Sequence, residues 1–177
     1  MNKETIIKSI REIPDFPIPG ILFYDVTTMF KDREALKSIL DILYEAYKDK
    51  GITKVVGLES RGFIMAPALA IRLGAGFVPI RKPGKLPAET IELSYNKEYG
   101  KDTIQIHKDA ISEDDVVLIH DDLLATGGTM AAACQLVRQL NKNKLYVNFI
   151  IELMNLHGRE KIAQNDVEIE SILTFDR

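Results

Sequence analysis

Two adjacent carboxylates, Asp121 and Asp122, follow a short apolar run and precede a loop with a central glycine pair. The glycines let the backbone approach a ligand closely. The N–H groups of the loop and of the helix that follows it predict an anion site suited to a phosphate monoester. The carboxylates would accept hydrogen bonds from the vicinal hydroxyl groups of a sugar. Segment 117–129 therefore predicts a site for a ribose 5-phosphate group. The loop residues are Ala125, Thr126, Gly127, Gly128 and Thr129.

Three other interpretations of segment 117–129 explain less of it. No Gly-Lys-Ser/Thr follows the glycines, as it would in a Walker phosphate-binding loop, and the Gly-x-Gly-x-x-Gly pattern of dinucleotide-binding folds is absent. An ordinary strand-to-helix turn with a threonine cap would need neither the acidic pair nor the Thr-Gly-Gly-Thr sequence. A phosphorylated sugar accounts for all of these residues together.

Two basic segments could bind further anionic groups. Arg61 follows the apolar run 55–58 and could pair with a diphosphate through two N–H groups, although a salt bridge in a surface turn explains it equally well. Arg81, Lys82 and Lys85 follow a second apolar run and surround a Pro-Gly turn. They indicate either a loop near an anion or a solvated basic turn.

The composition is that of a globular protein with one domain. The chain has 177 residues, of which 46% are hydrophobic and 28% charged, and its net charge is −3. This charge gives no reason to expect nucleic-acid binding, and no apolar stretch is long enough for a membrane span. The charged N-terminus has no apolar signal region, which favours the cytoplasm. The single cysteine, Cys134, excludes an internal disulfide framework, and three scattered histidines predict no metal cluster.

Alternating helical and strand patterns must position the candidate residues. The apolar spacing over 32–50 predicts a helix, and 90–103 is typical of a polar hairpin or a mobile flap. Strands separated by helices predict an α/β fold with a mostly parallel twisted sheet flanked by helices, which binds ligands beyond the carboxyl ends of its strands. The other predicted helices are 3–12, 62–73, 130–140 and 157–163, the predicted strands are 54–58, 76–80, one around Ile104 and Ile106, 116–119, 145–153 and 169–175, and an irregular segment spans 13–20.

Several further strings are distinctive in their order and spacing. They are 16–25 (FPIPGILFYD), 59–63 (ESRGF), 81–87 (RKPGKLP), Ser94-Tyr95 with Glu98-Tyr99-Gly100, and Glu152-Leu153 with Gly158-Arg159-Glu160-Lys161. Together with segment 117–129, they make nearly the whole chain resemble the type I phosphoribosyltransferase family, and within it the branch that uses adenine. The resemblance implies a single domain over 1–177, with a small hood at about 13–30 and a mobile flap at about 82–103.

This resemblance also implies an activity. Members of the branch transfer the 5-phosphoribosyl group of 5-phosphoribosyl 1-diphosphate (PRPP) to N9 of adenine, giving AMP and pyrophosphate in purine salvage. Mg²⁺ is the implied cofactor, and PRPP and water would hold most of it, so no cage of metal ligands is expected from the protein. Members are commonly homodimers with shared sites, which implies a homodimer here as well.

Residue roles follow from the same resemblance. Loop 125–129 would hold the 5-phosphate and the acidic pair the ribose hydroxyl groups. Phe23 and Leu153 would sandwich adenine, with the Leu22 backbone on its Watson–Crick edge. The implied catalytic residues are Glu98, Asp121, Asp122 and Arg61, and the implied substrate-binding residues are Leu22, Phe23, Tyr24, Leu153, Arg81, Lys82, Lys85, Tyr99, Ala125, Thr126, Gly127, Gly128 and Thr129.

Pyrophosphate would face Arg61, Lys82 and Lys85, with Arg81 nearby, and the two lysines could come from a neighbouring subunit. The family often has a non-proline cis peptide in this region, which would fall at Glu59–Ser60 here.

Two residues depart from the family pattern. Tyr24 occupies a position where many members have arginine, and His120 stands where an aliphatic residue is common. Strand alternation places the His120 side chain on the sheet face opposite Asp121, which predicts a core or interface residue.

Two other functions fit the sequence less well than transfer to adenine. A hypoxanthine or guanine enzyme would need a polar partner for the 6-oxo group, which the apolar Phe23 and Leu153 do not offer. A regulatory domain that binds PRPP would be expected to have a DNA-binding module or a basic patch, and neither is found in the sequence.

Overall fold

The computed structural model describes residues 3–96 and 100–176, which form an α/β fold. The strands are β1 (Arg11–Pro14), β2 (Leu22–Asp25), β3 (Lys54–Leu58), β4 (Gly76–Ile80), β5 (Thr90–Asn96), β6 (Lys101–His107), β7 (Val117–Leu124), β8 (Leu145–Leu153) and β9 (Glu168–Phe175). The helices are α1 (Lys3–Ser9), α2 (Thr27–Lys31), α3 (Arg33–Tyr47), α4 (Gly62–Leu73), α5 (Gly128–Leu140) and α6 (Gly158–Ala163), with a 3-10 turn at Met154–Leu156. None of the described helices is both long enough and apolar enough to cross a membrane.

A five-stranded parallel sheet lies at the centre of the molecule, with the strand order β4-β3-β7-β8-β9. Each of its faces has its own hydrophobic core. Helix α5 and the hairpin β5-β6 cover one face, and helices α1, α3 and α4 cover the other. Strand β8 is buried along its length except for its last residue, as expected for a parallel strand covered on both faces. The fold class predicted from the sequence is confirmed.

The predicted bounds of 54–58, 62–73, 76–80 and 145–153 match the structure. Helix α4 ends where Gly74 takes a left-handed backbone conformation with φ of 70°, which glycine adopts without steric cost. Its small residues let it pack closely on β3, since a Cβ added at Gly57 would lie 3.0 Å from the Ala66 Cβ. The agreement between predicted and observed bounds is best for elements whose residues are mostly apolar.

The N-terminal prediction is partly wrong. The helix predicted over 3–12 ends at Ser9, and Arg11–Pro14 pairs as an antiparallel strand with Leu22–Asp25. An ion pair between Arg11 and Asp25 joins the two strands at a distance of 2.5 Å. This pairing outweighs the helical pattern of the last predicted residues, and it places part of the segment expected to be irregular in a strand.

Strand β7 is longer than predicted. It continues past 116–119 to Leu124, because Asp121, Leu123 and Leu124 pair with Phe149, Ile151 and Glu152 of β8. Both carboxylates therefore lie on the strand rather than on the loop after it. Helix α5 begins at Gly128, two residues before the predicted start.

Two small antiparallel pairs lie in the segments for which a hood and a flap are expected. The pair β1-β2 and the short helix α2 lie within or beside 13–30, and α2 was not predicted. The hairpin predicted over 90–103 is confirmed as β5-β6, and its second strand extends to His107. Ile104 and Ile106 bury their side chains in the core beside α5, so the base of the hairpin is anchored. Residues 97–99 lie outside the described part of the chain.

Candidate functional site

The site lies where β3, β7 and β8 end, at the carboxyl edge of the parallel sheet. A larger cleft of about 710 Å³ and a smaller cavity of about 320 Å³ lie next to each other there. The linings of both include Arg61, Tyr95 and Thr129. This is the edge at which ligands bind in open α/β sheets, as the sequence predicted.

Loop 125–129 joins β7 to α5 and surrounds a hollow of about 110 Å³. Gly127 takes a positive φ of 75°, and a Cβ there would lie 2.4 Å from the carbonyl oxygen of Gly158. Only glycine fits at this position. Because the first N–H groups of α5 have no partner within the helix, they remain available to an anion beside Gly128. The loop thus surrounds a small hollow with backbone N–H groups.

The two carboxylates differ in their surroundings. Asp121 is partly exposed and lines both the smaller cavity and the loop hollow. The Asp122 side chain is 2% exposed, and its Oδ2 lies 3.0 Å from Arg61 Nε, close enough for an ion pair although the atoms are not aligned as a hydrogen bond. Burial raises the pKa of Asp121 well above its usual value, and the negative charge of Asp122 adds to this. Burial also raises the pKa of Asp122, against the opposing effect of Arg61.

Arg61 lines both cavities, and its ion pair with the buried Asp122 places it beside the acidic pair. It precedes the first residue of α4, directly after the cis peptide bond at Glu59–Ser60, which the structure contains where the resemblance implied it. A Cβ at Gly62 would lie 2.9 Å from the carbonyl oxygen of His120, so α4 starts in close contact with β7. This contact sets the distance between Arg61 and the acidic pair.

The basic segment after β4 lies partly within the site. Both guanidinium nitrogens of Arg81 that face Glu59 lie 3.1 Å from its carboxylate, which also accepts the Lys82 backbone N–H at 3.0 Å. Hydrogen bonding from Arg81 lowers the pKa of Glu59. Lys82 pairs with Asp102 on the hairpin. Arg81 and Lys82 line the smaller cavity, whereas Lys85 is exposed and lies outside the linings of both cavities.

The larger cleft has an apolar end. Leu22, Phe23 and Leu153 line it, as implied for a flat aromatic base. Phe23 is supported by Phe16, whose ring meets it edge-on at 5.1 Å between centroids. Tyr24 also lines the cleft, but its side chain is 2% exposed and stacks on Phe175 at 4.8 Å. Its ring thus joins the hood to the last strand of the sheet.

His120 is a core residue, as predicted. It is fully buried, and its Nδ1 lies 2.6 Å from Asn148 Oδ1. Burial lowers the pKa of His120 to about 4, so the ring is neutral at pH 7. The implied catalytic residue Glu98 and the implied substrate-binding residue Tyr99 lie outside the described residues.

Two site residues were missed as candidates from the sequence. The Tyr95 hydroxyl lies 2.9 Å from Thr129 Oγ1 and connects the flap to the loop. Lys161 lines the larger cleft beside Gly128. Both residues belong to strings that are distinctive in their order and spacing, and this is the signal that the sequence offers for them. Neither side chain directly precedes or follows a predicted strand end.

Comparisons with known proteins agree with this geometry. The family model described as the phosphoribosyl transferase domain matches residues 26–176. A curated adenine phosphoribosyltransferase of Bacteroides fragilis is 72% identical over 176 residues, which cover 99% of each chain. Two solved structures are also similar. The adenine phosphoribosyltransferase of Thermoanaerobacter pseudethanolicus is 45% identical with a TM-score of 0.91 and covers 98% of this chain and 100% of its own. The APRTase of Giardia lamblia, complexed with 9-deazaadenine, is 39% identical with a TM-score of 0.94 and covers 100% of this chain and 99% of its own.

The chain belongs to the phosphoribosyltransferase family. Within that family, the similar proteins just described are all adenine phosphoribosyltransferases.

Proposed function

We infer that the chain transfers the 5-phosphoribosyl group of PRPP to N9 of adenine, giving AMP and pyrophosphate. This is the activity of an adenine phosphoribosyltransferase, and it serves purine salvage. The observation that carries the assignment is one continuous site, with an apolar base cleft at one end, the acidic pair and the phosphate loop at its centre, and cations at the other end. The 72% identical curated relative has the same activity in its name.

The assigned roles follow from where charge develops. When pyrophosphate leaves the anomeric carbon, the sugar becomes positively charged, and the carboxylates of Asp121 and Asp122 stabilise it. Arg61, Arg81 and Lys82 stabilise the leaving diphosphate. Leu22, Phe23 and Leu153 hold adenine so that N9 faces the anomeric carbon, which removes much of the entropy of encounter.

Mg²⁺ is part of the proposal. Among residues 3–96 and 100–176, no group of three or more His, Cys, Asp or Glu side chains could hold a metal ion. The oxygen donors of Asp121 and Asp122 fit a hard cation whose other ligands are PRPP and water. Bound in this way, the ion would neutralise charge on the leaving diphosphate.

Glu98 remains the proposed general base toward the purine. In the sequence it follows Asn96 by two residues, and Asn96 lines the larger cleft, which supports this role. Base catalysis of this kind contributes about 10²–10⁴-fold, so charge stabilisation supplies the larger part of the rate.

We also propose a cytoplasmic homodimer. Three large apolar side chains are exposed on α4 and on the edge strand β4, namely Ile64, Ile71 and Phe77. Large apolar side chains exposed on neighbouring elements are typical of an association site. Lys85 faces solvent in its own subunit, which supports its supply to the site of a partner.

The assignment is tested with purified protein, PRPP and Mg²⁺, to which adenine, hypoxanthine and guanine are added separately. We expect AMP and pyrophosphate from adenine alone. Formation of IMP or GMP would contradict the base assignment and leave the PRPP site in place. Binding of PRPP without turnover of any base would favour a regulatory domain.

A further inference from the structure

Helix α6 is held firmly against the phosphate loop. A Cβ added at Gly158 would lie 2.2 Å from the carbonyl oxygen of Ala125 and 3.0 Å from the Gly127 nitrogen, so the two backbones are in contact. Arg159 fixes the same helix to the sheet. Its Nε lies 2.9 Å from Glu152 Oε1, and its Nη1 donates to the Ile169 carbonyl oxygen at 2.8 Å. The residues that follow Arg159 are therefore fixed relative to the loop.

Lys161 projects from this helix to the start of α5. Its Nζ lies 3.6 Å from the position that a Cβ on Gly128 would occupy, and the residue lines the larger cleft together with loop residues. Among the described residues, Lys161 takes part in no ion pair, and its side chain is exposed to the cleft. An ammonium group thus lies beside the N–H groups of the loop.

The phosphate loop has no cation of its own, since 125–129 reads Ala-Thr-Gly-Gly-Thr. A phosphate monoester carries between one and two negative charges at pH 7. The other cations that line the two cavities, Arg61, Arg81 and Lys82, already pair with Asp122, Glu59 and Asp102, respectively. Resting on the proposed function, we propose that Lys161 binds the 5-phosphate of PRPP and AMP and is a substrate-binding residue of this site.

Two ligands that carry different parts of PRPP test this proposal. Ribose 5-phosphate has only the monoester, and pyrophosphate has only the diphosphate. In calorimetric titrations, Lys161→Gln should weaken ribose 5-phosphate binding about tenfold, because a charge-assisted hydrogen bond is lost, and change pyrophosphate binding less than twofold. Lys161→Arg should restore part of the affinity. Lys8→Gln, a matched loss of one exposed cation on α1, should change neither.

Two results would overturn the role of Lys161. One is unchanged ribose 5-phosphate binding in Lys161→Gln, and the other is equal weakening of both ligands, which would indicate a general loss of charge or structure. Since binding is measured without turnover, the test is independent of the base assay. A wild-type protein that does not use adenine but binds ribose 5-phosphate through Lys161 would refute the proposed function and support the lysine.

Discussion

Asp121 and Asp122 are adjacent in sequence, yet the structure gives them different partners. Asp122 is buried and faces Arg61, whereas Asp121 is accessible from the cavity and has the more strongly raised pKa. A bound cationic sugar would lower the pKa of both groups, because opposite charge favours the carboxylate form. The pair is thus suited to a charge that appears only during transfer.

Replacing Asp121 with asparagine should lower kcat for AMP formation about 100-fold, because a neutral amide does not stabilise the positive sugar. Steady-state rates with saturating adenine and PRPP measure the effect. Asp109→Asn, an exposed aspartate on the turn after β6, is the matched control and should retain wild-type rates. Activity within threefold of wild type in Asp121→Asn would exclude this role.

His120 should make the protein acid-sensitive. Its pKa is about 4 when folded and 6.5 when exposed, so the unfolded chain takes up a proton first. Stability from neutral His120 is therefore present at pH 7 and is lost as pH falls from about 6.5 to about 4. The raised pKa of Asp121 changes stability with pH in the opposite direction. This contribution is common to wild type and His120→Gln, so comparing their urea unfolding cancels it. The difference in unfolding free energy between them should shrink by about 2 kcal/mol from pH 7 to pH 5.

An NMR titration of the His120 ring in the folded protein provides a check that needs no variant. Protonation near pH 6.5 would show that the ring is not buried as described.

At the scale of single residues, the sequence predicted those that lie at a strand end or follow it. The acidic pair, loop 125–129 and Arg61 all lie where their positions after apolar runs placed them. Lys161 could not be placed in this way, because its contact with Gly128 depends on how α6 packs back on the loop. Lys85 is the opposite case. Its basic neighbours line the smaller cavity, whereas Lys85 lies outside the linings of both cavities in its own subunit.

At the scale of elements, the contact between the phosphate loop and α6 is the tightest described in the site. Gly158→Ala should move the loop, since the new Cβ would meet the Ala125 carbonyl oxygen at 2.2 Å. We expect kcat/KM for PRPP to fall more than tenfold and the unfolding free energy to fall by about 1–3 kcal/mol.

Kinetics at varied PRPP and urea unfolding measure these two effects. Gly76→Ala on the edge strand is the matched control, because the nearest atoms to its Cβ would be those of the flexible Lys54 side chain at 3.4 Å. Equal behaviour of the two variants would show that the contact does not position the loop.

Most elements predicted from apolar patterns were found where expected, and the departures occur where strand pairing changes an element's bounds. Strand β7 extends past its apolar run because β8 supplies partners for Asp121 to Leu124. Strand β1 replaces the end of a predicted helix because β2 is next to it. Helix α2 has only five residues, and its N-cap residue, Val26, has no side chain that can cap it, so the helix was not recognisable from local sequence. Such contacts between distant segments are not visible in local sequence.

At the scale of the whole molecule, the proposed sharing of sites makes a clear prediction. Lys85→Ala and Asp121→Asn should each be nearly inactive as separate preparations. After unfolding and refolding as an equal mixture, about a quarter of wild-type activity should return, because half of the dimers are mixed and each has one intact site. Sedimentation should show a dimer throughout. Absence of recovery with dimers present would place Lys85 outside the partner's site.

The sequence predicted the fold class and the edge of the sheet at which the site lies, because alternating strands and helices allow few arrangements. It did not predict the division of the site between a larger cleft and a smaller cavity. That division arises where Tyr95 on the hairpin contacts Thr129, a pairing between segments 34 residues apart.

The sheet's polarity has a consequence for how this protein can change. The described residues assigned to transfer lie at the carboxyl edge of the central sheet, whereas the turn between α3 and β3, at 48–53, lies at its amino edge. Its residues Asp49 and Gly51 are exposed. Insertions, fused domains or new chain termini at this turn would leave the transfer site unchanged. A regulatory segment can therefore be added at this edge of the sheet, by evolution or by engineering, without altering the residues that carry out transfer.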